Sequence, residues 1–328
     1  MNPFRYERAR DAAEASVLLG KTPAAMLLGG GTNLVDLMRL RVAKPEALID
    51  VSRATSDRVE LLPGGGLRLG AGMRNTDAAA DKTLRARYPV LSQALLSGAS
   101  GQIRNLATVA GNLLQRTRCV YFQDVSKPCN KREPGNGCPA REGYHRNLSI
   151  LGASDACIAT HPSDMAVALM ALDARVRIIG AGGERLVPLA ELYRLPGDEP
   201  QRDTTLQHGD VITHVEIPPL EFAKRSRYRK VRDRASFAFA LVSVAGALDI
   251  RDGMVRDVRL ALGGVAHMPW RARIAEEALR GRPAREDTFR EAAAAELRAA
   301  QPLRDNAFKV PLAQRSIVRT LLELSAEP

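Results

Sequence analysis

The sequence predicts an α+β protein built from two domains. With 328 residues, the chain exceeds the length at which a single hydrophobic core stops growing. The pair Pro218-Pro219 opens a stretch, 218–226, that has the character of a linker. Beyond it, long apolar strand patterns precede three helical patterns. We therefore expect a larger domain over 1–220 and a smaller one over 226–328, the latter with a three-stranded antiparallel sheet and helices.

The larger domain is predicted to alternate short strands with helices. Each predicted strand is a short apolar run bounded by glycine, proline or charge, and each helix has apolar residues three or four positions apart. These criteria predict strands at 24–28, 47–51, 176–179 and 211–217, a hairpin at 59–72, and helices at 34–40, 75–87, 90–98 and from Ser163 onward. In the smaller domain the same criteria predict strands at 228–234, 237–250 and 255–265 and helices at about 271–281, 285–300 and 311–325.

A glycine loop joins the first of these strands to the first helix. Its residues are Gly29, Gly30, Gly31, Thr32 and Asn33. Glycines let backbone N–H groups approach an anion, and a helix N-terminus presents unpaired donors, so this order favours a phosphate site. It is not the Rossmann fingerprint, because Leu34 stands where a third glycine is required, and it lacks the lysine of a Walker loop. A tight turn without a ligand is equally compatible with these residues.

A second loop of similar composition lies at 102–112. Thr108, Gly111 and Asn112 alternate there with apolar Leu106 and Val109. One such loop is a weak signal, whereas two in one domain suggest the opposite sides of a pyrophosphate held by backbone amides and hydroxyls. A dinucleotide is therefore the leading ligand.

The apolar helix that follows Pro162 has a clear start. Ser163 is a good N-cap, and Asp164 lies in the first turn, where a carboxylate is favoured by the helix dipole. A capped core helix accounts for Ser163, but it leaves the Asp164 carboxylate available for a sugar or ribityl hydroxyl.

All four cysteines fall in one part of the chain. They are Cys119, Cys129, Cys138 and Cys157, with separations of 10, 9 and 19 residues. These separations exclude the C-x2-C pairs of zinc ribbons and the short spacing of bacterial ferredoxins. The proline- and glycine-rich loop between them is expected to lack a core of its own. Unrelated free thiols, two disulfides and one four-cysteine iron–sulfur cluster all remain open from the spacing.

Composition excludes several other classes of function. No apolar run reaches the length of a membrane span, and the first residues lack the apolar core of a signal peptide, so a cytosolic product is expected. The net charge of +11 suggests anionic or protein partners. With 4% aromatic residues and arginines spread evenly, the chain has no stacking platform or basic helix for nucleic acid.

Four segments, taken in order, resemble the FAD-binding subunits of the xanthine dehydrogenase, or molybdenum hydroxylase, family: LLGGGTNL, IRNLATVAGN, ATHPSD and YRKVRDRASFAFALVSVA. The resemblance covers essentially the whole chain. The cysteine-containing insert, 115–158, is similar to that of members with an additional 4Fe-4S cluster, most of all the FAD subunits of periplasmic aldehyde oxidoreductases. The β subunit of 4-hydroxybenzoyl-CoA reductase is a more distant likeness.

The resemblance implies a fold and a set of FAD contacts. The fold would be a two-part FAD domain of the vanillyl-alcohol-oxidase type followed by a small α+β domain. Leu28 to Leu34 and the segment from Thr108 to Asn112 would hold the pyrophosphate, and Asp164 would face the ribityl or ribose hydroxyls. Ile212 and Lys230 would lie along the flavin. The four cysteines would ligate one 4Fe-4S cluster, expected near the FAD.

The resemblance also implies partners and a role. A large molybdenum-cofactor subunit and a small 2Fe-2S subunit would complete a heterotrimer in which aldehyde is oxidised at molybdenum. Electrons would pass through the 2Fe-2S centres to FAD and on to an external acceptor. Export with a partner subunit would place the complex in the periplasm, and the cytoplasm is the alternative. The competing hypothesis is a nucleotide-binding module whose cysteines form a zinc or disulfide staple.

Overall fold

Three β-sheets organise the chain in a computed structural model that describes residues 1–326. The last two residues of the predicted C-terminal domain therefore lie outside the described part. The strands are β1 (Arg5–Arg8), β2 (Ala25–Leu28), β3 (Ala47–Asp50), β4 (Val59–Leu61), β5 (Leu67–Gly70), β6 (Arg175–Gly180), β7 (Gly183–Pro188), β8 (Val211–Ile217), β9 (Ser226–Val231), β10 (Val242–Arg251), β11 (Met254–Gly263) and β12 (Trp270–Arg271).

Helices connect and cover these sheets. They are α1 (Ala12–Lys21), α2 (Leu34–Arg39), α3 (Asn75–Ala80), α4 (Lys82–Arg87), α5 (Pro89–Ser97), α6 (Gly101–Arg104), α7 (Val109–Leu113), α8 (Val120–Gln123), α9 (Asp164–Ala171), α10 (Leu189–Leu192), α11 (Arg273–Leu279), α12 (Glu286–Glu296) and α13 (Lys309–Ser325). Short 3-10 turns lie at Glu221–Lys224 and Leu297–Ala299. No helix among residues 1–326 has the length and apolar character needed to cross a membrane.

The first sheet is parallel, with strand order β1-β3-β2. Its core joins Ala15 and Leu19 of α1 to Ala47 and Ile49 of β3. The Asp11 carboxylate caps α1 by accepting a hydrogen bond from the Glu14 amide. The first glycine loop leaves the carboxyl end of β2, which is the edge of a parallel sheet where ligands usually bind. Neither β1 nor α1 was predicted from the sequence.

The second sheet is antiparallel, with strand order β4-β5-β8-β6-β7. Helix α9 lies between this sheet and the third one, and all eight of its residues are buried. A helix that is apolar on every side is stable only in such a position. Because α9 begins at Asp164, its burial fixes that carboxylate inside the protein.

The third sheet is antiparallel, with strand order β12-β11-β10-β9. Helices α11, α12 and α13 form its apolar core, in which Leu248, Val258, Phe289 and Ile317 are fully buried. The three predicted strands are confirmed, and the two-residue β12 adds a fourth at the edge. The α+β fold class, with a two-part N-terminal region and a small C-terminal sheet with helices, is confirmed.

Two predictions about local structure were wrong, and strand β7 was not predicted. The helix predicted over 75–87 is two helices, because Asp81 leaves helical geometry and its carboxylate caps α4 through the Leu84 amide at 2.7 Å. The second glycine loop contains the short helices α6 and α7. Strand β7 was missed because it is exposed along almost its whole length and shows no alternation.

The cysteine-containing insert has a core, contrary to expectation. Phe122, Leu148 and Ile158 are buried together with three of the cysteines, and Leu37 of α2 completes this cluster. The apolar residues come from the two flanks of the insert and from a distant helix, so the polar composition of the loop itself concealed them. The insert is therefore packed against the first part of the fold.

Candidate functional site

The two glycine loops lie in direct contact. A Cβ atom on Gly30 would stand 1.8 Å from the Leu106 carbonyl oxygen, so only glycine permits this approach of two backbones. A Cβ atom on Gly29 would lie 3.0 Å from Thr108 Oγ1. That hydroxyl caps α7 by accepting a hydrogen bond from the Gly111 amide at 3.1 Å. The loops are thus held as one unit.

A cavity of about 720 Å³ lies beside this unit. Its volume is in the usual range for a cofactor or drug-sized ligand. Of the residues predicted to contact FAD, six line it: Thr32, Asn33, Gly111, Asn112, Asp164 and Lys230. Six others lie in the glycine-loop segments without lining it: Leu28, Gly29, Gly30, Gly31, Leu34 and Thr108.

Ile212, the remaining predicted FAD residue, lies neither in the cavity wall nor in a glycine-loop segment. It lies in β8, pairs with Ile178 and is 3% exposed within the core of the second sheet. Its contact with a flavin therefore stays a prediction without support from its position.

Three residues of the cavity wall carry a buried polar atom without a hydrogen-bond partner. These atoms are Asn33 Nδ2, Asn75 Oδ1 and Ser243 Oγ. An unpaired buried polar atom costs about 1–3 kcal/mol, so such atoms are expected where a ligand completes the site. The Asn33 amide is fixed by its other end, because Oδ1 accepts a hydrogen bond from the Arg116 amide at 2.8 Å. The Asn33 donor, the Asn75 acceptor and the Ser243 hydroxyl fit a ligand that carries both phosphate and hydroxyl groups.

Asp164 is held by two side chains of β9. Its Oδ1 accepts a hydrogen bond from the Tyr228 hydroxyl at 2.6 Å, and its Oδ2 pairs with Lys230 Nζ at 2.8 Å. Burial and the Asp164 charge raise the pKa of Tyr228 well above its usual range, so its hydroxyl stays a donor. Lys230 also donates to the Ser97 carbonyl at 3.0 Å. The carboxylate expected to be available for a ligand is thus already paired, although its oxygens retain further acceptor capacity.

The four cysteines line a second, much smaller cavity. Cys119, Cys129 and Cys157 are buried, Cys138 is partly exposed, and all four are free thiols. Cys119 also lines the large cavity, so the two cavities share a wall. The disulfide alternative has no support in this arrangement.

The chemistry of the four thiols fits an iron–sulfur cluster. Burial raises the pKa of Cys119 to about 11 and that of Cys157 to about 12, and neighbouring cysteines add to both shifts. Four thiolates side by side therefore require cations among them, which the irons of a cluster would supply. Within residues 1–326, no group of three or more His, Cys, Asp or Glu side chains is arranged around a single metal ion. This absence weighs against a zinc site and not against a cluster, because thiolates bound to different irons lie further apart than thiolates bound to one zinc.

Several residues at these cavities were not predicted as site residues from the sequence. Tyr228, Asn75 and Arg118 line or support the large cavity, and Lys131 lines the small one. Tyr228 lies two residues before Lys230. Residues two apart on a strand share one face, so this spacing was the signal that could have indicated Tyr228. Asn75 was predicted only as the start of a helix, so its place in the cavity wall was missed.

Two protein-family models match the chain. One, described as the FAD binding domain in molybdopterin dehydrogenase, matches residues 2–220. The other, described as the CO dehydrogenase flavoprotein C-terminal domain, matches residues 226–324. Together they span nearly all of the sequence.

Known proteins resemble the chain over most or all of its length. The aldehyde oxidoreductase FAD-binding subunit PaoB of Escherichia coli is 50% identical, with 100% of each chain covered. The glyceraldehyde dehydrogenase medium chain of Sulfolobus acidocaldarius is 26% identical, over 88% of this chain and 85% of that one. A chain of the reconstituted CO dehydrogenase from Oligotropha carboxidovorans shares the fold, with a TM-score of 0.78, 22% identity and coverage of 100% and 99%. The chain therefore belongs to the FAD-binding subunits of the molybdenum hydroxylase family, and is a subunit of an oxidoreductase.

Proposed function

We propose that this chain is the FAD- and 4Fe-4S-binding subunit of a molybdenum enzyme that oxidises aldehydes to carboxylic acids. The observation that carries the proposal is the shared wall at Cys119, which sets a four-cysteine cavity directly beside a cofactor-sized one. The aldehyde as substrate class is supported by the 50% identity to an aldehyde oxidoreductase subunit over the whole chain.

The glycine loops would hold the FAD pyrophosphate. Backbone amides of the segments 28–34 and 108–112 are its donors in this proposal, and Asn33 Nδ2 adds an unpaired one. Asp164 would accept a hydrogen bond from a ribityl or ribose hydroxyl, while Tyr228 and Lys230 hold the Asp164 carboxylate in place. When bound, FAD supplies the capacity to take up electrons singly and to release them singly or in pairs. Lys230, whose side chain is 4% exposed, offers a fixed positive charge at the cavity wall.

The insert, 115–158, would hold the cluster through Cys119, Cys129, Cys138 and Cys157. Its apolar core, with Phe122 and Ile158, buries three of these cysteines, and Cys138 stays partly exposed. The division into a FAD-binding domain over 1–220 and a C-terminal domain over 226–328 belongs to the same proposal.

Partners complete the proposed electron path. A large subunit with the molybdenum cofactor would oxidise the aldehyde, and a small subunit with 2Fe-2S clusters would pass the electrons to this chain, within a heterotrimer. An external acceptor would then receive them. The periplasm is the proposed compartment, reached by export with a partner subunit.

Cofactor analysis of the purified complex tests this proposal. The complex should contain FAD, iron and acid-labile sulfide in excess of what the 2Fe-2S subunit carries, and added aldehyde should bleach its flavin absorption. The isolated chain should retain flavin and a broad iron–sulfur absorption. A colourless chain that holds about one zinc would contradict the proposal and favour the zinc-stapled module.

A further inference from the structure

A lysine lies in the wall of the four-cysteine cavity. Lys131 stands in the loop between Cys129 and Cys138, and its side chain is 1% exposed. The other residues that line this cavity, within the described part of the chain, are cysteine or uncharged. A buried ammonium group is costly unless it is paired, so its position requires an explanation.

The ammonium group is held by three partners from distant segments. Lys131 Nζ donates to the Pro200 carbonyl at 2.7 Å and to His267 Nε2 at 2.8 Å, and it pairs with Asp203 Oδ1. The three donors of the ammonium group are thereby used. These contacts fix the charge in one place beside the sulfur atoms.

Asp203 is shared with a second cation. Arg116 Nε lies 2.5 Å from Asp203 Oδ2, and the Arg116 guanidinium group stacks 5.0 Å from the ring centre of Phe122, another residue of the cavity wall. Burial works to raise the pKa of Asp203, but the charges of Arg116 and Lys131 hold it well below its usual range. Burial lowers the pKa of His267, so this ring is uncharged at neutral pH. Two cations and one carboxylate leave a net charge of plus one beside the cavity.

A fixed charge in a buried site acts strongly on a redox centre. The gain of one electron in the cavity adds one negative charge, which a nearby cation stabilises and a nearby anion opposes. The reduction potentials of iron–sulfur clusters depend on local charge, hydrogen bonds and solvent exposure. Because the lysine and the aspartate carry opposite charges, they must shift such a potential in opposite directions.

We propose that the buried Lys131–Asp203 pair sets the reduction potential of the cluster in the four-cysteine cavity. Lys131 raises the potential and Asp203 lowers it, and Arg116 keeps the balance positive. The inference rests on the proposed function, since it requires the cluster to be present. It assigns Lys131 a role in electron transfer beyond the packing of the insert.

Redox titration of the complex, followed by low-temperature EPR of the reduced cluster, tests the inference. Lys131→Met nearly keeps the length of the side chain and removes its charge. The midpoint potential of the cluster should fall by at least about 59 mV, which is a tenfold change in the equilibrium constant for one electron. Lys131→Arg should recover most of the wild-type value. Asp203→Asn should shift the potential upward.

Lys127→Met is the matched control, because Lys127 lies in the same insert, two residues before Cys129, but is exposed, so solvent and salt screen its charge. A potential in Lys131→Met no different from that of Lys127→Met would overturn the inference, as would shifts of the same sign in Lys131→Met and Asp203→Asn. If Lys131→Met fails to assemble, the sign of the shift in Asp203→Asn decides instead. A wild-type complex without a cluster signal and without the additional iron would instead refute the proposed function.

Discussion

The substitution Gly30→Ala tests whether the contact between the two glycine loops is needed for FAD to bind. The added Cβ atom would lie 1.8 Å from the Leu106 oxygen and 2.6 Å from its carbonyl carbon, both of which belong to the backbone and cannot turn aside. The loops would have to separate by about 1.2 Å to bring this contact to 3.0 Å, below which Cβ atoms are essentially never found. Overpacking of this kind costs about 1–3 kcal/mol. If that strain falls on the FAD-bound state, affinity should drop roughly 5- to 150-fold.

Two further glycines make the test specific. Gly111→Ala should be milder, because its Cβ atom would meet only the Thr108 hydroxyl, at 2.9 Å. Gly101→Ala, at the start of α6, should have no effect, since nothing lies within 4 Å of the added atom. The assay is FAD released per complex on denaturation, with the melting temperature followed in parallel. Wild-type FAD content and affinity in Gly30→Ala would refute the reasoning.

Three other outcomes are expected. Lys230→Met leaves the Asp164 carboxylate buried without its cation, which should lower the free energy of unfolding by about 3–5 kcal/mol. Both the FAD content and the melting temperature should therefore fall, and an unchanged melting temperature would contradict this. Burial lowers the pKa of Lys309 to about 7. Between pH 7 and 10.5 the unfolded chain therefore binds a proton at this lysine that the folded chain does not. The free energy of unfolding should then rise with pH, by up to about 1.4 kcal/mol per pH unit. Thermal unfolding of Lys309→Met should lack that rise. If the wild type and Lys309→Met showed the same dependence of melting temperature on pH, Lys309 would not be its cause. The isolated chain should show no aldehyde-dependent flavin reduction, and turnover free of partner subunits would disprove the division of labour.

Local features of the site could be predicted from the sequence because their causes are local. A triple glycine between a strand and a helix indicates a backbone approach, and the structure shows that approach at Gly30. Ser163 was predicted as an N-cap, and its hydroxyl accepts a hydrogen bond from the Ala166 amide at 3.0 Å. Both inferences depend on a few neighbouring residues and their backbone geometry.

Pairings between distant segments could not be predicted. Lys131 is 72 residues from Asp203 and 136 from His267, and nothing in the composition of the insert indicates either partner. The same holds for Asp164, whose two partners lie 64 and 66 residues further along the chain. Such contacts depend on how the sheets pack, which the periodicity of single segments does not specify. For this reason Asp164 was predicted to be available although it is paired.

Iron and acid-labile sulfide in the complexes of Cys129→Ser and Cys138→Ser test the central claim most directly. If the four cysteines of the small cavity hold one cluster, either substitution should remove about four irons and four sulfides per chain and leave the 2Fe-2S content unchanged. The Lys127→Met complex should keep its full iron content. Unchanged iron in either cysteine variant, or the loss of about one zinc instead, would contradict the claim.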